Sequence, residues 1–185
     1  MSVNRETLQG AFDIVQLLHK HGISAIIAGG AARDIFFGVA PKDVDVICAG
    51  VGHETVTEVL EGALLNFKKF PKYHTGSDSD RLAGVWKIDG CDIDVILYDT
   101  DCVSEAIQKF DYNLNQFAIL GIHRGIEAAH VRFMGDKCWS NLVRLRDDAR
   151  GPRAAKMEEK WFDLAWRRTA GESLEAPVGG PDGLY

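Results

Sequence analysis

The stretch IIAGGAARDIFFGVAPKDVDVI, Ile26 to Ile47, decides the fold. A β-rich opening (Ala25, Ile26, Ile27, Ala28) reaches Gly29-Gly30. A helix-like run then extends to Phe37, Gly38 and Pro41 break it, and Asp43-Val44-Asp45-Val46-Ile47 resumes the alternation of a strand. The order is strand, glycine turn, helix, strand. Two glycines ahead of a helix let the backbone approach a ligand closely, and the unpaired N–H groups and positive dipole end of that helix favour a phosphate. Strand side chains alternate, so Asp43 and Asp45 share a face while Val44 and Val46 enter the core, with their two Cα atoms about 6.6 Å apart. Carboxylates that close can share one Mg²⁺ or Mn²⁺, or divide between two ions about 3.5–4 Å apart, an arrangement suited to in-line phosphoryl displacement. A cation also relieves their mutual repulsion. The residue types therefore point to a nucleoside triphosphate and a divalent metal.

These positions resemble the head domain of the poly(A) polymerase and CCA-adding (tRNA nucleotidyltransferase) branch of the DNA polymerase beta-like nucleotidyltransferases. That signature runs GGxVRDxLLG and, after a few residues, DxD. Gly29, Gly30, Arg33, Asp34, Gly38, Asp43 and Asp45 match it, while Ala32 replaces the usual valine and Phe36-Phe37 the usual leucine pair. The resemblance implies an α/β (α+β) nucleotidyltransferase fold, a small mixed central sheet flanked by helices. It also implies an activity: transfer of a nucleoside monophosphate from an NTP to a hydroxyl acceptor, with Mg²⁺ or Mn²⁺ as cofactor and release of pyrophosphate. Asp43 and Asp45 become catalytic metal ligands on this reading. Gly29 and Gly30 cradle the triphosphate, and Arg33 contacts it or pairs with Asp34 or another local carboxylate.

Farther along, Leu82 to Ile88, Asp89-Gly90 and Asp92 to Leu97 make a hairpin signal. Aspartate is depleted in strands, so Asp92 and Asp94 on one face mark a second acidic position, for which a solvent-facing strand is the plain alternative. The family takes a third carboxylate from a neighbouring strand. The resemblance assigns that role, catalytic and metal-binding, to Asp94, with Asp92 as the alternative. FDYNLNQF, Phe110 to Phe117, resembles the family's RRDFTINAL element through Asp111, Tyr112, Leu114 and Asn115, but Phe110 and Asn113 replace an arginine and a threonine. Asp111 and Asn115 are accordingly expected to bind the nucleotide, fixing ribose or base edges or bracing the site. Helix capping and turn formation is an equal alternative for both.

The remaining elements follow from periodicity. Leu8, Ala11, Phe12, Val15 and Leu18 give residues 5–20 an apolar helical face. Helices are expected near Glu54 to Leu60, at 101–109, 141–150 and 154–168, and strands at 64–70, 117–122 and 131–133. Residues 71–81 read as a long loop, where Lys72, Tyr73, His74 and Arg81 could contact phosphates. The expected organisation is a nucleotidyltransferase head over 1–120, a short helical extension over 121–169, and a tail without fixed structure over 170–185.

Of the 185 residues, 46% are hydrophobic and 26% charged, ordinary values for a globular chain. No stretch approaches the roughly 18 apolar residues of a membrane helix, and the N-terminus lacks the regions of a signal peptide, so a cytoplasmic chain with no membrane partner is expected. The four cysteines form no CxxC pair, which argues against zinc. Charge is uneven: residues 1–120 carry −7, residues 121–168 carry +4, and the remainder −3. Acidic residues interleave that basic segment, so a solvated helix surface is its first reading; it could also meet a polyanion, which tilts the open choice of acceptor toward an RNA 3′ end. The GxGxxG spacing of a dinucleotide site is absent. The competing function class is a non-catalytic nucleotide- or partner-binding module of the same fold, a regulator or antitoxin-like subunit.

Overall fold

A computed structural model describes residues 3–70, 82–165 and 175–178. Helix α1 (Arg5–Lys20) is capped by Asn4, whose side chain accepts from Thr7 N–H at 2.8 Å, and it buries Leu8, Phe12, Val15 and Leu18. Strand β1 (Ser24–Ala28) leads through Gly29 into helix α2 (Gly30–Phe36), and strand β2 (Val44–Ala49) follows. Helix α3 (His53–Gly62) precedes strands β3 (Phe67–Phe70), β4 (Leu82–Ile88) and β5 (Ile93–Tyr98). Helix α4 (Val103–Gln108), strands β6 (Phe117–Leu120) and β7 (His130–Phe133), helix α5 (Pro152–Leu164) and strand β8 (Glu175–Pro177) complete the order.

All eight strands join one sheet in the order β3-β4-β5-β2-β1-β6-β7-β8. Among the described pairs only β2 and β5 run parallel. The fold is thus mixed α/β with helices on the sheet, as the sequence predicts. Val44, Val46 and Cys48 of β2, with Ile93, Val95 and Leu97 of β5, pack in one core with α1 and α3. Ile47, Ile96 and Tyr98 alternate to the other face and meet Ala106 and Ile107 of α4. Asp45 and Asp94 share parity with this second row. A one-residue slip of either strand would bury the aspartate in the first core and expel its valines, so the register is strongly specified. Cys48 lies within that first core, and burial pushes its thiol up to about 12.

The two phenylalanines that replace a leucine pair have aromatic partners. Phe36 lies 4.8 Å from Phe117, and Phe37 lies 5.2 Å from Trp139 at nearly a right angle, ring to ring. Three expectations are corrected. The hairpin turn is longer than Asp89-Gly90: Asp92 lies outside β5, and its carbonyl accepts from Val44 N–H at 2.8 Å. Residues 141–150 are not helical. Their backbone is held from a distance, Asn113 N–H donating to Val143 O (3.1 Å) and Leu145 N–H to Asp111 O (2.7 Å). Finally, Glu175–Pro177, within the segment read as a tail, pairs antiparallel with β7. The expected loop 71–81 and residues 170–174 and 179–185 of that tail lie outside the described residues.

Candidate functional site

Asp45 and Asp94 occupy the same rung of the parallel β2–β5 pair. Two carboxylates on neighbouring strands at one rung project from the same face, and Asp43, two residues before Asp45, stands at the mouth of that row. Across the other edge of β5, Lys87 pairs with Asp94 in register, Nζ to Oδ1 3.7 Å, while remaining 61% exposed against 15% for the aspartate. Burial holds the Asp94 carboxyl above the usual carboxylate range. Lys87 pulls it down, whereas the charges of Asp43 and Asp92 push it up. Asp43 and Asp94 are therefore near enough to repel. Among the described residues no three His, Cys, Asp or Glu are gathered tightly enough to cage an ion unaided.

The carboxylates border a cavity of about 350 Å³, within the size range of small-molecule sites. Gly29, Gly30, Arg33, Asp43, Asp45, Asp111 and Asn115, seven of the eight residues singled out in the sequence, line it. The eighth, Asp94, lies one strand behind the lining, at Asp45's rung. The two glycines differ in what they do. Gly29 has φ +91° and ψ −140°, a conformation that side chains resist, and its N–H is committed to Phe117 O at 2.9 Å. Gly30 is the first residue of α2, where N–H groups have no intrahelical partner.

Arg33 is 8% exposed and its donors are directed inward. Its Nε donates to Asp34 Oδ1 (2.9 Å) and its Nη1 to Asn115 Oδ1 (2.8 Å). Asn115 Nδ2 donates to Asp111 Oδ1 (3.3 Å), and Asp111 Oδ2 accepts from Arg153 Nε at 2.8 Å. The result is a relay, Asp34–Arg33–Asn115–Asp111–Arg153, joining α2 to the 3-10 turn at Asn113–Asn115 and to the first turn of α5. Asp111 and Asn115 thus brace the cavity wall by these bonds. Asn113, fully buried, fixes the segment behind it: Nδ2 donates to the carbonyls of Lys137, Cys138 and Asn141, and Oδ1 accepts from Val143 N–H at 2.8 Å.

Sequence reasoning did not single out Lys42, Arg153, Lys156 and Lys160, all of which line the cavity. The last three recur at i, i+3 and i+7, the spacing of one helix face, and that was the available signal.

The site and sheet define a class before any particular relative does: carboxylates on adjacent strands beside a glycine-led helix, the arrangement whose sequence resembles nucleotidyltransferase head domains. The chain is 40% identical over 52 residues to the CC-adding tRNA nucleotidyltransferase of Halalkalibacterium halodurans, a match covering 28% of this chain and 14% of that protein. Among solved structures, the CCA-adding enzyme of Bacillus stearothermophilus in complex with CTP matches at 26% identity and TM-score 0.45, covering 61% of this chain and 27% of that one. The Thermotoga maritima CCA-adding enzyme complexed with tRNA matches at 16% identity and TM-score 0.47, covering 64% and 27%. The chain thus spans only a minor part of each relative's length. No protein-family model matches it.

Proposed function

We propose that the chain is a metal-dependent nucleotidyltransferase head, moving a nucleoside monophosphate from an NTP to a hydroxyl acceptor with release of pyrophosphate. The observation that carries this reading is the rung shared by Asp45 and Asp94 beside the cavity that Gly29 and Gly30 line. Three aspartates in this relation fit a hard divalent cation. Mg²⁺ is typically held by one or two carboxylates together with substrate phosphate oxygens, so a complete protein cage is not required. Asp43 and Asp45, with Asp94 behind them, would hold Mg²⁺ or Mn²⁺, which when bound neutralises phosphate charge and acidifies a bound hydroxyl.

The chain's own groups carry the rest. Gly30 presents the open first turn of α2 to the cavity, where a phosphate oxygen can accept its N–H. Arg33, fixed by Asp34 and Asn115, keeps its positive charge at the cavity wall. Asp94, whose carboxyl titrates above the usual range, is suited to take a proton from the acceptor hydroxyl. Positioning and charge complementarity supply most of the acceleration in phosphoryl transfer, and a rigid strand pair provides both. The relative that shares sequence with this chain is named for adding to tRNA, which makes an RNA 3′ end the first acceptor to try.

The test is incubation of wild type and an Asp43→Ala/Asp45→Ala variant with each α-labelled NTP, Mg²⁺ or Mn²⁺, and pooled RNA, protein and metabolites. Label transfer by wild type alone is expected. Equal transfer by the variant would overturn the roles given to Asp43 and Asp45, and NTP binding with no transfer to any acceptor would leave the binding-module reading in its place.

A further inference from the structure

Lys156 and Lys160 of α5 line the same cavity as Asp43 and Asp45, and Lys42 joins them from the segment leading into β2. None of the three pairs with a carboxylate among the described residues. Lys156 and Lys160 are four apart on one helix face, where like charges repel unless something negative lies between them. Their neighbour Arg153 has a different task, since its guanidinium is drawn to Asp111. Met157, 1% exposed, packs its thioether 3.8 Å from Asn115 Nδ2. The helix is thus anchored by Arg153 and Met157, and it presents its lysines to the open space. Lysine offers three charged donors and no acceptor, so this face is complementary above all to anionic oxygens.

Building on the proposed nucleotidyltransferase activity, we propose that Lys156 and Lys160, with Lys42, form the subsite for the polyphosphate tail of the nucleotide, and that α5 selects ligands by phosphate count and not by base. The Asp111–Arg153 pair is the positioning contact that holds this face over the cavity.

Calorimetry on the full chain with Mg²⁺ tests this, using ATP, ADP and AMP against wild type, Lys156→Ala/Lys160→Ala and Lys156→Arg/Lys160→Arg. Removing two charged donors to phosphate should weaken ATP by at least about tenfold and AMP by less than about twofold. The loss should be the same for CTP, GTP and UTP, and the arginine variant should retain ATP binding. Equal losses for ATP and AMP, a loss confined to one base, or no loss would overturn the inference. So would weakened binding of an RNA oligonucleotide with ATP unaffected, which would give the lysines to nucleic acid. A wild type that binds no nucleotide sinks the parent reading as well; one that binds and transfers without the lysines sinks this inference alone.

Discussion

The adjacent glycines at the turn provide a sharp test, because the motif treats them alike and the structure does not. Gly29 adopts φ +91°, ψ −140°, in the region essentially restricted to glycine. A methyl group there would meet nothing closer than Phe110 Cε2 at 4.0 Å, so the penalty for Gly29→Ala is backbone strain alone. That strain is of order 1–3 kcal/mol, which for a chain of this size lowers the melting midpoint by about 2–4 °C per kcal/mol. Gly30→Ala differs: its backbone lies outside the left-handed region, and the new Cβ would sit 3.5 Å from Arg33 Nη2, an ordinary contact. An alanine in the first turn of a helix should be neutral or stabilise by up to about 1 kcal/mol through the unfolded chain. Urea denaturation followed by circular dichroism separates the two. Equal losses, or a larger loss at Gly30, would refute the assignment of strain to Gly29.

Two further outcomes are expected. The Asp94 carboxyl is raised in the folded chain, so the folded state binds its proton more tightly; the resulting stabilisation is complete below the unfolded pKa and is lost as pH rises through the raised value. Asp94→Asn should therefore melt higher than wild type at pH 7.5, an advantage that fades by about pH 4, near the ordinary aspartate pKa; a pH-independent difference between the two would contradict this. Arg153→Met should cost about 1–3 kcal/mol, because it removes the guanidinium hydrogen bond from the 3% exposed Asp111 carboxylate, and an unchanged urea midpoint would count against the pairing.

The strand-turn-helix-strand unit was legible because its determinants are local: alternation fixes β1 and β2, and glycine and proline end α2. The hairpin of β4 and β5 was legible for the same reason, though its turn was placed too short. Strand order was not. Nothing between residues 50 and 92 announces that β5, paired with β4 on one edge, lies parallel to β2 on the other, yet that non-local pairing puts Asp94, and not Asp92, on Asp45's rung. The helix expected at 141–150 failed because Asn113 and Asp111 satisfy Val143 and Leu145 from about thirty residues away, removing the need for i to i−4 bonds. Asn113 was noted as a departure from the family element, and its buried role could not be read without the chain folded back upon it. The α5 cations were visible as a basic excess, but the contacts of Arg153 with Asp111 and of Met157 with Asn115 say which way that helix faces.

The Asp111–Arg153 contact also sets the sign of the cavity. Among the described residues, the charged lining without α5 consists of Asp34, Asp43, Asp45 and Asp111 against Arg33 and Lys42, two charges negative; Arg153, Lys156 and Lys160 turn that described lining one charge positive. The docked helix reverses that field, and its hold on Asp111 makes attraction at the entrance depend on a residue that is itself buried in the wall.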